Sequence, residues 1–361
     1  MRKKKIRIFA FGGNEVAPVD LKDEKGNPIP ADIPMQWQRT AETCKNIADI
    51  IEEFPEDNYI ITHGNGPQVG NILLRAEHSL DILPPLPLDV CGADSQGAMG
   101  YMIGQLLRNE LKSRNIDLSV DTIVTQVVVD KNDPNFKNPT KFIGPSYTKE
   151  EAEEKIKKSG WIMKIYKKDS SGREIWRRVV PSPKPLEVVE LPLVITALEN
   201  NIIPITVGGG GIPVILVEPD EKGVYNCNYN IKYKSSKKVP IYTGVEAVID
   251  KDLASALLGK QIIKYYKEKG IDCEVTLTIF TAEDGAKINY QKPNEKSLRI
   301  VTVNELKKYY NEGHFPAGSM GPKIEALIDF IENGGDKGYI SLTSKYKKTL
   351  KGEAGTTVIK G

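Results

Sequence analysis

Ile60-Ile61-Thr62-His63-Gly64-Asn65-Gly66-Pro67-Gln68-Val69-Gly70 carries a short apolar run straight into a glycine-rich turn. The run reads as a buried parallel strand. Glycines at its carboxyl end let backbone N–H groups approach an anion closely, often with a helix N-terminus behind them. The same design occurs twice more. Ile6-Arg7-Ile8-Phe9-Ala10-Phe11 leads into Gly12-Gly13-Asn14, and Ile205-Thr206-Val207 leads into Gly208-Gly209-Gly210-Gly211-Ile212-Pro213. One such loop says little. Three in one chain point to a site for an anionic small molecule at the carboxyl ends of a parallel sheet.

Strand and helix signals alternate outward from these loops, as in an α/β fold with a mostly parallel sheet. A helix over 36–53 places Ile47, Ile50, Ile51 and Phe54 on one face. Another, over about 95–113, carries the stripe Met99, Met102, Ile103, Leu106, Leu107 and Leu111, with Asp94 or Ser95 as N-cap. Residues 122–129 read as one strand. Residues 130–184 turn polar and basic and read as an excursion from the sheet, a small lid with its own hairpin. The sheet resumes at 202–207. A second polar stretch, 218–240, reads as a β-hairpin extension. Beyond it, Asp250-Lys251-Asp252-Leu253 opens a helix, 275–281 is a strand, and Gly318-Ser319-Met320-Gly321-Pro322-Lys323 opens another helix. Pro322 suits a first-turn position because its missing N–H has no partner to lose there.

The 361 residues suffice for one large or two medium domains. The formal charge of +2 is too small for a general nucleic-acid binder. Arg2-Lys3-Lys4-Lys5 reads as a solvated lead-in to the first strand. No apolar run reaches the roughly 20 residues of a membrane span, and the basic start lacks the apolar region of a signal peptide. A cytoplasmic location is expected. Cys44, Cys91, Cys227 and Cys273 are scattered without a C-x-x-C and read as reduced thiols. With only His63, His78 and His314, no histidine-rich metal site is expected, and no residue is assigned as a protein ligand to metal.

Three lysines stand out by context, and for Lys251 and Lys323 two readings stay open, an anion contact and a solvated surface lysine. Lys323 stands in the first turn of a helix behind Gly318 and Gly321. Lys251 opens another, between Asp250 and Asp252. A lysine at the partly positive end of a helix is unfavourable unless an anion is present. Lys141, between Pro139-Thr140 and Gly144-Pro145, reads on composition as a surface lysine of the lid. Lysines beside glycine loops suit phosphoryl transfer, which needs positioning and charge neutralisation more than covalent help. No G-x-x-x-x-G-K-[ST] is present, so the phosphate site is not a P-loop. His63 and His314 read as structural. For Arg177 and Arg178 two readings stay open, a phosphate contact and a solvated strand.

At these residues the chain resembles the carbamate kinases of the amino acid kinase superfamily. The matching strings are Gly12-Gly13-Asn14, the run from Thr62 to Gly70, the segments 133–145 and 176–183, Gly208 to Ile215, Gly244-Val245-Glu246-Ala247-Val248-Ile249-Asp250-Lys251-Asp252-Leu253-Ala254, Glu312-Gly313-His314-Phe315 and Gly318-Ser319-Met320-Gly321-Pro322-Lys323, with Gly352-Glu353-Ala354-Gly355-Thr356 near the end. The resemblance spans nearly the whole chain. It implies a three-layer αβα sandwich around an open, mostly parallel sheet of about eight strands, plus a small lid subdomain. It divides the chain into an N-terminal lobe, 1–217, for carbamate or carbamoyl phosphate, with the lid at 130–184, and a C-terminal nucleotide lobe, 218–361. It implies the reversible reaction of ATP and carbamate to ADP and carbamoyl phosphate, run toward ATP in arginine catabolism, with Mg2+ and in a homodimer. Lys141, Lys251, Lys323 and Asp250 take the catalytic roles. Gly12, Gly13, Asn14, Gly64, Asn65, Gly66, Gln68, Gly209 and Gly210 fall to the acyl substrate, and Thr281, Asp284, Tyr290 and Met320 to the nucleotide.

The sequence departs from the family pattern in three places. An insertion at 218–242 lengthens the chain near the nucleotide lobe, the stretch 15–34 after the first loop is unusual, and Val207 replaces a serine before the four glycines. The stretch 15–34 motivates a second reading, a sister kinase acting on another small carboxylate. A third is a non-catalytic small-molecule-binding homologue, against which the three intact lysines argue.

Overall fold

The computed structural model describes residues 3–16, 32–66, 68–169, 171–316 and 318–361, and of Asn14 and Glu15 the backbone alone. Most of the unusual 15–34 stretch, the side chain proposed for Asn14, and Pro67 and Ala317 within the motif strings therefore lie outside the described residues.

Among the described residues eight strands form the main sheet, in the order Ile300–Thr302, Thr356–Ile359, Lys337–Ser341, Cys273–Phe280, Lys4–Phe11, Asn58–His63, Ile202–Ile205, Ser119–Thr122. Every neighbouring pair is parallel except Lys337–Ser341 with Thr356–Ile359. The central strand shows why both faces are covered. Its side chains alternate with period two. Ile6, Ile8 and Ala10 enter one apolar core with Leu257, Leu258, Ile324 and Leu327, from the helices Lys251–Glu268 and Met320–Glu332. Phe9 and Phe11 enter a second core with Ile47, Ile51, Met99 and Ile103, from the helices Ile33–Glu53 and Leu88–Ser113. The result is the αβα sandwich that the family resemblance implies, built on the mostly parallel sheet that the apolar runs predict. The sheet is continuous across residue 217: Lys4–Phe11 pairs with Cys273–Phe280 from Lys4 against Cys273 to Ala10 against Ile279.

The lid segment holds a three-stranded antiparallel sheet, Lys141–Tyr147, Glu174–Val180 and Met163–Lys168, and a helix, Lys149–Ser159. Thr148 and Glu151 close a capping box at the start of that helix, and Gly160 ends it in the left-handed conformation.

Two expectations need correction. The run 122–129 is not one strand. Ser119–Thr122 stays in the main sheet, while Gln126–Val129 joins a smaller sheet with Ile212–Val217, Ile241–Gly244 and Pro185–Val188. The long helix starts at Leu88, not near Ser95, with Pro87 as its first flanking residue and Cys91 N–H donating to Pro87 O at 3.0 Å. Asp94 and Ser95 lie inside it. Ser95 is fully buried and uses its hydroxyl on Gly92 O and on Asn65 instead of capping.

The insertion is a hairpin, Val224–Asn226 with Lys232–Lys234, as its turn chemistry predicts. Tyr225 forms a small core of its own, buried and donating to Lys237 O and Val239 O. Tyr229 and Tyr233 are exposed. Asn228 bonds Gly244 O, and Gly244 is backed by Asp89 in the first turn of the Leu88–Ser113 helix.

Candidate active site

Asp250 caps the helix Lys251–Glu268, its carboxylate accepting from Asp252 N at 2.9 Å and Leu253 N at 3.4 Å. The other carboxylate oxygen accepts from Lys141 Nζ at 2.9 Å, so the lid reaches across to this helix start. Two residues on, Asp252 is buried and receives both remaining lysines. Lys251 Nζ donates to Oδ1, and Lys323 Nζ, from the first turn of Met320–Glu332, donates to Oδ2 at 2.9 Å. The three sequence-predicted lysines thus converge on two aspartates in one turn of helix. In the sequence Asp252 stands only as a flank of Lys251. Its role as the common partner depends on a contact with Lys323, 71 positions away.

The electrostatics follow. Burial alone would raise the Asp252 pKa, but the ammonium groups of Lys251 and Lys323 outweigh it and hold the carboxyl well below the usual carboxylate range. Burial, foremost, and the neighbouring Lys323 push Lys251 below its ordinary 10.5, against the pull of Asp252. Among the described residues three lysines face two aspartates, an arrangement suited to receive an anion.

The glycine loops close around these lysines. A methyl group on Gly64 would lie 3.2 Å from Lys251 Cδ, and one on Gly13 would lie 3.4 Å from Gly66 Cα. The loops of Gly12-Gly13-Asn14 and Gly64-Asn65-Gly66 therefore meet each other and the lysine. Gly66 has a φ of +51°, which favours glycine. Thr62 donates to Ser255 Oγ at 2.7 Å while Ser255 donates to Lys251 O at 2.6 Å, tying the strand end to the helix start. Asn65 Oδ1 accepts from Ser95 at 2.9 Å and packs on Gly209, while Gly210 packs on the carbonyl of Ile249. Gln68 Nε2 donates to Gln36 Oε1 at 2.8 Å, and Gln68 Oε1 is buried with no partner among the described residues.

His63 is buried, and burial pushes its pKa down to about 4. Neutral at ordinary pH, it donates from Nδ1 to Gly64 O at 3.0 Å. This matches the structural role read from the sequence. Arg177 donates to Gly144 O at 2.7 Å, inside the lid, and Arg178 lies over the Trp161 ring.

Next to the lysines opens a cavity of about 320 Å3, within the range of small-molecule sites. Gly12, Gly13, Thr281, Tyr290, Met320 and Lys323 all contribute to its wall. The first glycine loop is therefore shared between the lysine cluster and this cavity. Asp284 is not in the wall. Its carboxylate accepts from Gly355 N at 2.9 Å and pairs with Lys345 at 3.3 Å and Arg299 at 3.4 Å, holding the C-terminal strand in place. Glu283 takes its place at the cavity, where it accepts from Tyr290 OH at 3.2 Å. Lys287 also lines the cavity, and nothing in its local sequence marked it. No residue of 218–242 lines this cavity; the hairpin meets the body at Gly244, beside Asp89.

No family model matches the chain. Individual relatives do. The carbamate kinase of Pyrococcus horikoshii is 44% identical over 353 residues, covering 97% of this chain and 98% of the relative. That of Clostridium perfringens is 41% identical over 357 residues, covering 98% and 99%. The structure of carbamate kinase from Giardia lamblia bound to AMP-PNP superposes with a TM-score of 0.78 at 35% identity, covering 100% of both chains. Matching of this depth over the full length, on a chain whose three lysines and glycine loops converge, establishes that it belongs to the carbamate kinase family of ATP-dependent phosphotransferases.

Proposed function

We propose that the protein transfers the γ-phosphoryl group of ATP to carbamate, giving ADP and carbamoyl phosphate, and that it runs this reaction toward ATP in arginine catabolism. The observation that carries the reading is the junction of the lysine cluster with the cavity, through Lys323 and the first glycine loop. In this reading the cavity takes the nucleotide, and the loops at Gly64, Asn65 and Gly209 take the small acid.

A carbamate oxygen attacks the γ-phosphorus as the bond to the β,γ-bridging oxygen breaks, and ADP leaves with that electron pair. The attacking oxygen is already anionic, so no general base is required, in keeping with a neutral, structural His63. Lys251 and Lys323 neutralise the transferred oxygens and the bridge, Asp252 holds the two ammonium groups together, and Asp250 positions Lys141 over the acyl side. The buried acceptor Gln68 Oε1 suits an N–H of carbamate, which an acetate-like acid lacks. Mg2+ would enter with the nucleotide as part of the substrate and would add to the charge neutralisation that Lys251 and Lys323 supply at its phosphates. The division into a 1–217 acyl lobe and a 218–361 nucleotide lobe, a homodimer and a cytoplasmic setting complete the proposal.

The test is a coupled assay of ATP formed from ADP and carbamoyl phosphate, run beside acetyl phosphate. Turnover with carbamoyl phosphate is expected. Turnover with the other acyl phosphate alone would replace carbamate as the substrate, and nucleotide binding with no turnover would remove the catalytic reading.

A further inference from the structure

The break in the run 122–129 lies where the chain leaves the main sheet for the smaller one, and Thr125 stands at that crossing with every polar atom engaged. Its backbone N–H donates to Gln96 Oε1 at 2.8 Å, and its carbonyl accepts from Gln96 Nε2 at 3.0 Å and Ile212 N at 2.8 Å. Its hydroxyl donates to Ile123 O at 2.8 Å. That uses the only hydroxyl proton, so the remaining contacts are acceptances, from Val207 N at 3.0 Å and Thr206 Oγ1 at 2.8 Å. Thr125 and Gln96 are both buried.

The residue held this way is strained. Val207 has φ 52° and ψ 34°, the left-handed region, where a β-branched side chain is an outlier. Such a conformation persists only where the surroundings over-determine it. What it achieves is the direction of the next three residues. A methyl group on Gly208 would lie 2.6 Å from His63 Nε2, while methyl groups on Gly209 and Gly210 would run into Asn65 and into Ile249 O. The backbone of Gly208–Gly210 is thus wedged between the Gly64-Asn65-Gly66 loop and the residue preceding Asp250.

We propose that Gln96 and Thr125 are positioning residues that clamp Val207 in its left-handed conformation, and that this clamp sets the spacing between Asn65 and Asp250 on which acyl-substrate placement depends. The inference rests on the functional reading above, in which these loops hold the small acid. Neither residue touches the cavity assigned to the nucleotide.

Thr125→Val keeps the shape and removes the hydroxyl. It is expected to lower kcat/KM for carbamoyl phosphate on the order of 10- to 100-fold, as small misplacements of a reacting group do, with KM for ADP unchanged. Thr125→Ser is expected to restore it. Val207→Gly removes the steric reason for the clamp, so the double variant Thr125→Val/Val207→Gly should recover activity over Thr125→Val alone. Thermal melts record separately the stability lost with the buried valine side chain. Hydrogen exchange at the amides of residues 207–211 should speed up in Thr125→Val and slow again in Thr125→Ser, with no substrate present. A Thr125→Val enzyme as active as the parent, a Thr125→Ser enzyme as impaired as Thr125→Val, or an equal rise in KM for ADP would overturn the clamp. If Thr125→Val does not fold, Gln96→Met breaks the other half and must give the same pattern or the proposal falls. Failure of the unsubstituted enzyme to use carbamoyl phosphate would instead defeat the functional reading, leaving the exchange measurement to decide the clamp.

Discussion

Two of the three lysines and the third are held in different ways. Lys251 and Lys323 rise from the first turns of two core helices, and their side chains are 10% and 17% exposed. They share one carboxylate, Asp252, which is 3% exposed. Lys141 comes from a strand of the lid, is 38% exposed, and meets Asp250 from outside the sandwich. The first pair is preorganised by the fold: both helices pack on the central strand, so their ammonium groups are fixed before any ligand arrives. The third is positioned by how the lid seats. In the proposed mechanism the difference separates a permanent electrostatic site from one assembled when the lid docks, and it predicts variants of different size and kind.

The largest effect is expected at the preorganised pair. Lys251→Ala and Lys323→Ala should each lower kcat by a hundredfold or more, on the order of 3 kcal/mol of transition-state stabilisation, with far smaller changes in ADP affinity. Asp252→Asn should depress kcat comparably, because it leaves two ammonium groups facing each other without their shared anion. Steady-state kinetics beside direct ADP titration checks both. Near-parental turnover in either lysine variant would remove that lysine from the reaction and with it the contrast.

The lid lysine is best probed without touching it. A methyl group on Gly70 would lie 2.8 Å from Gly144 Cα, backbone that has little room to yield. Gly70 belongs to the helix Gln68–His78, and Gly144 to the strand that begins at Lys141. The same seam carries the ion pair of Lys155 with Glu77 at 2.7 Å. Gly70→Ala should therefore lift the lid strand and draw Lys141 off Asp250. The expected outcome is roughly tenfold lower kcat/KM for carbamoyl phosphate with ADP binding unchanged. A Gly70→Ala enzyme with unchanged kinetics would mean that lid seating does not set the position of Lys141, and the distinction between the two kinds of lysine would lose its basis.

How much of this was legible in the sequence follows the same division. The mostly parallel sheet was, because short apolar runs ending in glycine mark buried parallel strands whatever surrounds them, and the three-layer sandwich came with the family resemblance. So were Lys251 and Lys323, each set against its own helix dipole. Asp252 was not, since an aspartate beside a lysine on a first turn reads equally as a solvated pair. Only the packing of two helices brings Lys323 to it. The run Ile123-Val124-Thr125 has strong strand propensity, yet Gln96 from a distant helix takes the backbone of Thr125 out of strand pairing. Asp284 sits in a stretch that matches the family's nucleotide strand end, but its neighbours Lys345 and Arg299 turn it to the C-terminal strand and leave Glu283 at the cavity. Each of these three positions holds a polar residue with a partner far away in the chain.

The smallest effect is expected from the insertion. Residues 218–242 add a hairpin with its own buried tyrosine, Tyr225, bonded within the segment. A unit that satisfies its own core places few demands on the sheet beneath it. Its tie to the body near the site runs through Asn228, which bonds Gly244 O and Thr243 Oγ1. Gly244 continues the antiparallel pairing of the Ile241–Gly244 strand with Ile212–Val217, from Val217 against Ile241 to Val214 against Gly244. Replacing residues 218–240 with a short Gly-Ser turn keeps that strand, and changing loop length costs only about 0.6 kcal/mol per doubling. The shortened enzyme is expected to keep ADP affinity and turnover within about twofold of the parent, since loop exchanges away from core, caps and buried networks shift stability little. Isothermal titration with ADP and the coupled assay measure both. A clear loss of ADP affinity would mean that the exposed Tyr229 or Tyr233 acts on the nucleotide from a distance. A loss confined to carbamoyl phosphate would instead tie the hairpin, through Gly244 and Asp89, to the lid side where Lys141 is positioned.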